Sequence, residues 1–393
     1  MNQQVVSTKP AYFPNLDGLR FIGSLLIIVF HIEDIKLLHN KPVIPFIEYY
    51  GLIGNFDVSL FFVLSGFLIT YLLLKEKKES GSINLKAYYA RRTLRIWPLY
   101  YLILILGFFV LPHLGAYFST TYSANIYKNF WLSFTGCFLF LCPLVRSASG
   151  LPQTMGPIWS VGVEELFYLC WPLFLRKTTK YLLLFFVVLV VVLLLRNGFF
   201  LGDYFFGWDD SFHKIYKFIS AVLMQYRISC MAIGAIGAYW VAFEKKKILS
   251  VVYRKDVQWI VYIITAGLLL LRVGVKIEAL ESFPSVFHEV YSVLFIIIIV
   301  TLATNPKSIV RLDYKWTNYL GKISYGLYMY HPIMRILSLE LTTYLFKGNT
   351  WNWQMNVSLY FFTVSSTILI SILSYEFFEK KFLKLKNKVT AQA

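Results

Sequence analysis

The sequence has few charged residues, few cysteines and no long polar stretch of the kind that separates soluble domains. Only 15% of its 393 residues are charged and 4 are cysteine, whereas 58% are hydrophobic. The mean hydropathy is +0.60, and apolar runs recur from Leu16 to the last fifteen residues. This composition excludes an ordinary soluble enzyme and indicates a polytopic membrane protein with one membrane domain.

The scarcity of cysteine and of acidic residues excludes further classes. The four cysteines show no CxxC spacing, so neither a metal site nor a disulfide framework is indicated. The 38 basic residues outnumber the 21 acidic ones, giving a net charge of +17. This excess does not point to nucleic acid, because the basic residues cluster in short loops, as cytoplasmic loops of membrane proteins do. Residues 1–15 lack the pattern of a cleaved signal peptide, so a retained first span is expected to begin at Leu16.

The distribution of basic residues between the apolar segments indicates which segments cross the membrane. The loop before the third segment carries seven cations between Lys75 and Arg95, which assigns it to the cytoplasm. Segment Phe130–Leu144 has fifteen residues, fewer than the roughly 20 that a span needs. If it does not cross, the later basic clusters also face the cytoplasm. These clusters are residues 176–180, 244–247, 305–315 and 379–388.

The sequence therefore predicts an all-α fold, a polytopic membrane bundle of about ten transmembrane helices with both ends in the cytoplasm. Phe130–Leu144 is predicted to be a short re-entrant or surface helix. The predicted organisation is a cytoplasmic segment 1–15, a membrane domain 16–380 and a basic cytoplasmic tail 381–393. The predicted spans are Leu16–Asp34, Leu60–Leu74, Ile96–Pro112, Ile158–Leu175, Tyr181–Leu195, Phe218–Phe243, Val257–Leu271, Val286–Thr304, Tyr319–Phe346 and Val357–Phe377.

The first predicted span carries an arginine near its start and a histidine near its end. Arg20 and His31 are eleven residues apart, which in a helix is three turns plus about 20°. The two side chains therefore share one face and lie roughly 16 Å apart along the axis. Ionisable groups inside a membrane are costly and are usually functional, although hydrogen bonding between helices is the structural alternative.

A basic cluster precedes the third span. Arg91, Arg92 and Arg95 are either anchors at the anionic inner surface or a clamp for phosphate, which guanidinium groups bind in a bidentate manner. Arg92 and Arg95 are i, i+3 neighbours, so a helix would place them on one face.

Two further segments combine polar and apolar residues. In GPIWSVGVEELFYLCWP, Glu164 and Tyr168 are i, i+4 neighbours, and a buried carboxylate needs a partner such as His31 or Arg20. A purely structural ion pair is the alternative. In LGKISYGLYMYHPIMR, His331 precedes a proline, and the choice between a functional histidine and a proline kink capped by polar groups stays open.

Taken together, these motifs resemble the acyltransferase 3 family of bacterial integral-membrane O-acyltransferases. The resemblance covers about residues 12–385. The matching segments are LDGLRFIGSLLIIVFH (16–31), FFVLSGFLIT (61–70), RRTLRIWPLYY (91–101), WSVGVEELFYLCWP (159–172), YRISCMAIG (226–234), LGKISYGLYMYHP (320–332) and SYEFFEKKF (374–382).

The resemblance implies a bacterial inner-membrane enzyme that moves an acyl group, usually acetyl, from cytoplasmic acyl-CoA to a hydroxyl of a surface or lipid-linked glycan. Acyl-CoA would be a co-substrate, with no bound cofactor, no metal and no nucleic-acid partner. No SGNH-type hydrolase domain is expected. The implied catalytic residues are His31, as base or nucleophile, Glu164, which would orient His31, and Arg20. The implied donor-binding residues are Arg91, Arg92 and Arg95. The implied substrate-binding residues are Trp159, Ser160, Tyr168, Tyr325 and His331.

Two other classes use buried polar groups in membranes. A transporter or flippase of a glycolipid or small anion would need such charges, but it would not need an arginine cluster at one mouth. A membrane glycosyltransferase would need clustered acidic residues for a metal or a sugar-phosphate donor, and the acidic pairs in this sequence are scattered.

Overall fold

The computed structural model of the chain describes residues 12–43, 50–114, 124–206, 210–274, 284–347 and 350–391. The described residues form helices joined by short turns, and none of them lies in a β-strand, so the prediction of an all-α fold is confirmed. Residues 1–11 of the predicted N-terminal segment and 392–393 of the predicted tail lie outside the described residues. The helices are α1 (Pro14–Leu38), α2 (Tyr50–Ser80), α3 (Leu85–Ile105), α4 (Ala124–Lys128), α5 (Phe130–Phe138), α6 (Cys142–Ala148), α7 (Ile158–Lys177), α8 (Tyr181–Phe206), α9 (Asp210–Gln225), α10 (Ile228–Ala242), α11 (Lys246–Val252), α12 (Lys255–Gly274), α13 (Pro284–Thr304), α14 (Lys315–Lys322), α15 (Ser324–Leu345), α16 (Trp353–Ser374) and α17 (Lys380–Ala391).

Several helices have the length and composition of membrane spans. Five such segments occur in the described part of the chain, and a sixth arises if Val222–Ala242 and Lys246–Val252, which meet at a bend of 113°, form one span. The five segments are Val58–Ser80, Leu85–His113, Gln153–Lys177, Phe287–Thr304 and Trp353–Leu385. The chain is thus a helical membrane protein, whereas the count of ten spans and the position of both ends in the cytoplasm are not confirmed by these helices.

The short apolar segment Phe130–Leu144 is not one helix. It contains α5 and the start of α6, and the turn between them places Phe140 in the left-handed region, at a φ of 62°. The nine residues of α5 span about 14 Å, well short of a hydrocarbon core of about 30 Å. This geometry agrees with the prediction that the segment does not cross.

Two of the predicted spans are interrupted. Phe218–Phe243 is divided between α9 and α10, and the break falls at Arg227, which is the N-cap of α10 and is buried. Tyr319–Phe346 is divided between α14 and α15 at Ile323. Polar residues lie at both breaks, Gln225 and Arg227 at the first and Lys322 at the second, but the prediction included them within continuous spans. Pro332, in contrast, lies inside α15 without ending it.

Helix α1 lies at the centre of the bundle. It contacts α2, α13, α14, α15 and α16. Beside it, α2 and α10 cross at small residues: a Cβ at Gly66 would meet the carbonyl oxygen of Met231, and one at Gly234 would meet that of Val63. Such close backbone approach is typical of packed membrane helices. The polar face of α1 is therefore surrounded by protein, where ionisable side chains can be satisfied.

Candidate active site

A cavity of about 530 Å³ opens among α1, α2, α3, α7 and α15. This volume is typical of small-molecule sites. The lining includes seven of the residues singled out from the sequence. These are Arg20, Arg92, Arg95, Ser160, Glu164, Tyr168 and Tyr325. The structure therefore brings together residues that are spread over more than 300 positions of the chain.

One end of the cavity is basic. Arg20, Arg92, Arg95 and Lys322 line it, and Arg20 forms an ion pair with Asp17 one turn earlier in α1. The guanidinium of Arg92 lies 5.3 Å from the ring centroid of Tyr168, a cation–π contact. The four cations outnumber the carboxylates of Asp17 and Glu379 in the same part of the lining, so this end favours anions.

Arg91 does not belong to this basic end. Its guanidinium lies 3.4 Å from the carboxylate of Glu76, and Arg91 is not part of the cavity lining. Helical geometry explains the difference, because Arg92 and Arg95 share a face of α3 while Arg91 points about 100° away from Arg92. The third arginine of the cavity lining is Arg20 from α1, not Arg91.

Glu164 has partners other than those suggested by the sequence. Its Oε1 accepts a hydrogen bond from Ser65 Oγ at 2.9 Å, and its Oε2 accepts one from Tyr168 at 3.1 Å. Among the described residues, neither His31 nor Arg20 hydrogen-bonds to it. The expectation that Glu164 orients His31 is therefore wrong at the level of direct contact. Sequence spacing shows which residues share a helix face with Glu164. It does not show how far along α1 this face is positioned.

The opposite end of the cavity is closed by a hydrogen bond. Ser160 Oγ and the hydroxyl of Tyr328 are 2.7 Å apart, and both residues line the cavity. The Tyr328 ring centroid lies 5.9 Å from that of His331, which is one turn further along α15. The hydroxyl of Tyr325, also in the lining, donates to the carbonyl oxygen of Ile96 at 3.0 Å. Tyr328 thus stands between the cavity and the histidines.

His31 and His331 form a direct pair beyond Tyr328. His31 Nδ1 and His331 Nε2 are 2.9 Å apart, and the ring planes are within 7° of each other. The ring centroids are 5.0 Å apart, close to the sum of the nitrogen separation and two ring radii. The imidazoles therefore lie edge to edge in one plane, joined by an in-line hydrogen bond.

The surroundings of His331 determine which nitrogens carry protons. Its Nδ1 lies 3.3 Å from the carbonyl oxygen of Leu327, and a carbonyl can only accept, so Nδ1 carries the proton. In neutral His331, Nε2 is then the acceptor, and His31 must donate from Nδ1. This leaves Nε2 of His31 with a free lone pair. The carboxylate of Asp34 is 3.7 Å from that nitrogen, and the His31 side chain is 32% exposed.

Arg335 fixes the relative position of the two helices. Its Nη1 donates to the main-chain oxygen of His31 at 2.9 Å, and Arg335 itself is buried. This bond joins α1 and α15 directly at the histidine pair. The arginine that the sequence showed one turn after His331 is therefore a positioning group.

Trp159 lies outside the cavity lining. The guanidinium groups of Arg146 and Arg227 are 4.9 and 5.6 Å from its ring centroid. Arg146 is in the last turn of α6, and Trp159 precedes Ser160, whose Oγ is 2.7 Å from the Tyr328 hydroxyl. This cluster lies at the histidine end of the site.

Sequence reasoning assigned no role to several residues of the site. Ser65 binds Glu164, and Glu379 lines the basic end, where Ser374 donates to its carboxylate at 3.0 Å. A signal could have found Glu379, which is the second acidic residue of the SYEFFEKKF segment. Arg146 carried no signal, because it follows a short apolar segment and matches no motif.

Comparison with known proteins decides the family. The family model described as an acyltransferase domain, Acyl_transf_3, matches residues 13–376. The chain belongs to the acyltransferase 3 family. The match includes the five helices around the cavity, α1, α2, α3, α7 and α15, and it confirms the sequence-based prediction of an acyltransferase enzyme. Membership of this family favours acyl transfer over the transporter or flippase alternative.

Two curated relatives of this acyltransferase 3 family member illustrate the similarity. The chain is 28% identical to O-acetyltransferase OatA of Staphylococcus aureus (strain NCTC 8325 / PS 47) over 398 residues, which cover 98% of this chain and 59% of the relative. It is 30% identical to peptidoglycan O-acetyltransferase OatA of Listeria monocytogenes serovar 1/2a (strain ATCC BAA-679 / EGD-e) over 177 residues, 44% of this chain and 25% of the relative. The chain spans about three-fifths of the length of the first of these. No solved structure is significantly similar to this chain.

Proposed function

We propose that this protein transfers an acetyl group from cytoplasmic acetyl-CoA to a hydroxyl of a cell-envelope glycan, in the inner membrane of a bacterium. The relatives are named for O-acetyl transfer, and one of them for peptidoglycan, which makes peptidoglycan the first acceptor to test. The single observation that carries the proposal is one cavity with arginines at one end and, beyond Tyr328, a histidine pair at the other.

The basic end suits the donor. Acetyl-CoA carries its charge on phosphate groups, and guanidinium groups bind phosphate oxygens through paired, charge-assisted hydrogen bonds. Arg20, Arg92 and Arg95 converge there with Lys322. From Tyr168 to Ser160 the cavity follows α7 for about 12 Å, which gives the uncharged arm of the donor a path towards Tyr328.

The proposal includes a topology. The basic end is next to the lysine-rich loop that follows α2, and CoA is a cytoplasmic metabolite, so this end faces the cytoplasm. About ten spans with both chain ends inside would place the histidine pair towards the outer face. The acceptor glycan would then approach from the side opposite the donor.

The chemistry centres on Nε2 of His31. As a general base, it takes the proton of the acceptor hydroxyl while that oxygen attacks the thioester carbonyl carbon. The carbon–sulfur bond breaks, the new ester forms, and CoA leaves as a thiolate that takes up a proton. As a nucleophile, the same nitrogen would carry the acetyl group as an acyl-imidazole before the hydroxyl attacks. In both routes Asp34 stabilises positive charge on the ring, and His331 accepts from Nδ1 as the triad aspartate does.

The test is acetyl-CoA consumption by the purified protein in detergent, with and without a peptidoglycan fragment. We expect acceptor-dependent release of free CoA and an ester on the glycan. His31→Ala should lower the rate by ~10²–10⁴-fold if His31 is the base, and by more if it is the nucleophile. Labelled acetyl that stays on the wild-type protein without acceptor, but not on His31→Ala, would identify the nucleophile.

The outcome that contradicts the proposal is equally specific. A His31→Ala protein that is correctly inserted and still transfers acetyl at near wild-type rate removes His31 from the chemistry. Insertion is expected to be normal, because alanine makes the span more apolar.

A further inference from the structure

The histidine end of the site contains a second group of cations that the donor does not use. Arg146 from α6 and Arg227 from the N-cap of α10 both face the indole of Trp159, at 4.9 and 5.6 Å. Arg227 also donates to Ser59 Oγ at 3.4 Å. We define Arg146, Trp159 and Arg227 as the outer basic cluster.

This cluster is connected to the reacting groups. Trp159 is the neighbour of Ser160, whose Oγ is 2.7 Å from the Tyr328 hydroxyl. The Tyr328 ring centroid in turn lies 5.9 Å from that of His331, the partner of His31. A group bound at Trp159 would therefore be on the histidine side of the Ser160–Tyr328 hydrogen bond.

Arg146 is the accessible cation of this cluster. Within the described part of the chain it makes no hydrogen bond or ion pair and is exposed, so its guanidinium is available to a ligand. A helix C-terminus and one indole ring stabilise an arginine only modestly, so an oxyanion would be a favourable further partner.

We propose that the outer basic cluster binds an oxyanion of the acceptor, a carboxylate or a phosphate, so that the enzyme selects acidic glycans. This inference rests on the proposed function, because it defines the acceptor class of the same site. Guanidinium groups recognise both oxyanions through planar, paired hydrogen bonds, and the indole face offers an apolar surface to a sugar ring.

The first experiment measures binding without catalysis. The thermal unfolding midpoint of the purified protein is followed as sodium glucuronate, glucose 6-phosphate or glucose is added at constant ionic strength. A ligand that binds only the folded state stabilises it by RT ln(1 + [L]/Kd), so the dissociation constant Kd follows from the concentration dependence of the midpoint. We expect the two anions, but not glucose, to stabilise the wild type. The anion with the lower Kd identifies the carboxylate or the phosphate as the group recognised.

Three variants locate the site. Arg146→Gln should raise the Kd of the anion about tenfold or more, because one charge-assisted contact is lost. The matched control is Arg176→Gln, because Arg176 is an exposed arginine at the other end of α7. This variant should bind the anion as the wild type does. Arg92→Gln reports on the donor cavity. If the anion-induced rise in the midpoint is lost in Arg92→Gln and kept in Arg146→Gln, the anion binds in the donor cavity and the proposal is overturned. The absence of any rise in the wild type also overturns it.

The second experiment measures transfer from labelled acetyl-CoA to octyl glucuronide and to its methyl ester. We expect the acid to be preferred about tenfold or more, and the preference to disappear in Arg146→Gln. Equal rates, transfer to the ester alone, transfer to neither, or a preference that survives in Arg146→Gln would each overturn the proposal. If the protein consumes no acetyl-CoA under any condition, the proposed function fails, whereas the anion site is still decided by the unfolding midpoints.

Discussion

At the scale of single residues, the histidine pair makes His331 as important as His31. The sequence left His331 open between a functional role and a capped proline kink, and the structure supports both readings. Pro332 has no N–H, so the carbonyl of Tyr328 loses its helical donor, and the His331 ring lies beside this part of α15. The same ring accepts from His31 and so fixes which nitrogen of His31 has the free lone pair.

We therefore predict that His331→Ala lowers the rate of acetyl transfer by ~10²–10⁴-fold, because His31 loses the acceptor that selects its tautomer. His331→Gln should recover about tenfold of this loss, since an amide oxygen can reach the position of the imidazole Nε2 and accept the same hydrogen bond. The measurement is kcat for each variant at saturating donor. Equal activities of the Ala and Gln variants would show that acceptance of this hydrogen bond is not the role of His331.

The second prediction at this scale separates the three arginines of α3. Arg92→Gln and Arg95→Gln should each raise the KM for acetyl-CoA about tenfold or more, because both line the cavity and a lost guanidinium–phosphate contact is worth ~1.5–3 kcal/mol. Arg91→Gln is the matched control. Its partner is Glu76 outside the cavity, so the donor KM should stay within about twofold of the wild-type value. A similar increase in all three variants would mean that the basic loop attracts the donor only through its total charge.

At the scale of helices, the sequence predicted where apolar segments lie better than where they break. The segment around Leu16–Asp34 appears as α1 (Pro14–Leu38), and Ile158–Leu175 as α7 (Ile158–Lys177). Hydrophobicity and helical periodicity determine such elements locally. The breaks at Arg227 and Ile323 coincide with polar residues, but isolated polar residues also occur within continuous helices, so they did not identify the breaks.

The site shows the same division. Helical periodicity predicted that Arg92 and Arg95 share one face of a helix, and both line the cavity. Contacts between helices were less predictable: Glu164 meets Ser65 on α2, and His31 meets His331 on α15. Sequence spacing defines faces within one helix, whereas the pairing of faces depends on the depth and rotation of each helix in the bundle.

The crossing of α2 and α10 provides a prediction for a whole element. Gly66→Ala should destabilise the protein by about 1–3 kcal/mol, because the new Cβ meets a backbone carbonyl that cannot move without displacing α10. Gly267→Ala is the matched control, since no described atom would lie within 4 Å of its Cβ, and it should be neutral or stabilising by up to about 1 kcal/mol. Unfolding in mixed detergent, followed by circular dichroism, measures both. Equal stability of the two variants would contradict the close crossing.

At the scale of the whole molecule, the cavity and the histidine pair lie in line along the bundle, with Tyr328 between them. The basic end, Tyr328 and the histidine pair follow one another along α1 and α15, and the arginine and histidine of α1 are about 16 Å apart along the axis. Donor and acceptor can thus be held at opposite ends of the same site. This arrangement requires that the two ends of the bundle face opposite sides of the membrane.

The last prediction tests that requirement on the apolar segment Trp353–Leu385. Trp353 and Lys384 are both exposed and are separated by 31 residues, about 46 Å of helix, which exceeds a hydrocarbon core of about 30 Å. Cys170 is the one exposed native cysteine among the four, so Cys170→Ser provides the background. In intact cells, an impermeant thiol reagent should label Trp353→Cys but not Lys384→Cys, and permeabilisation should expose the latter. Lys246→Cys should behave as Lys384→Cys does, because the positive-inside bias assigns both basic clusters to the cytoplasm. Labelling of Lys384→Cys in intact cells would reverse the bundle, place the basic end outside, and leave the arginines without access to cytoplasmic acetyl-CoA.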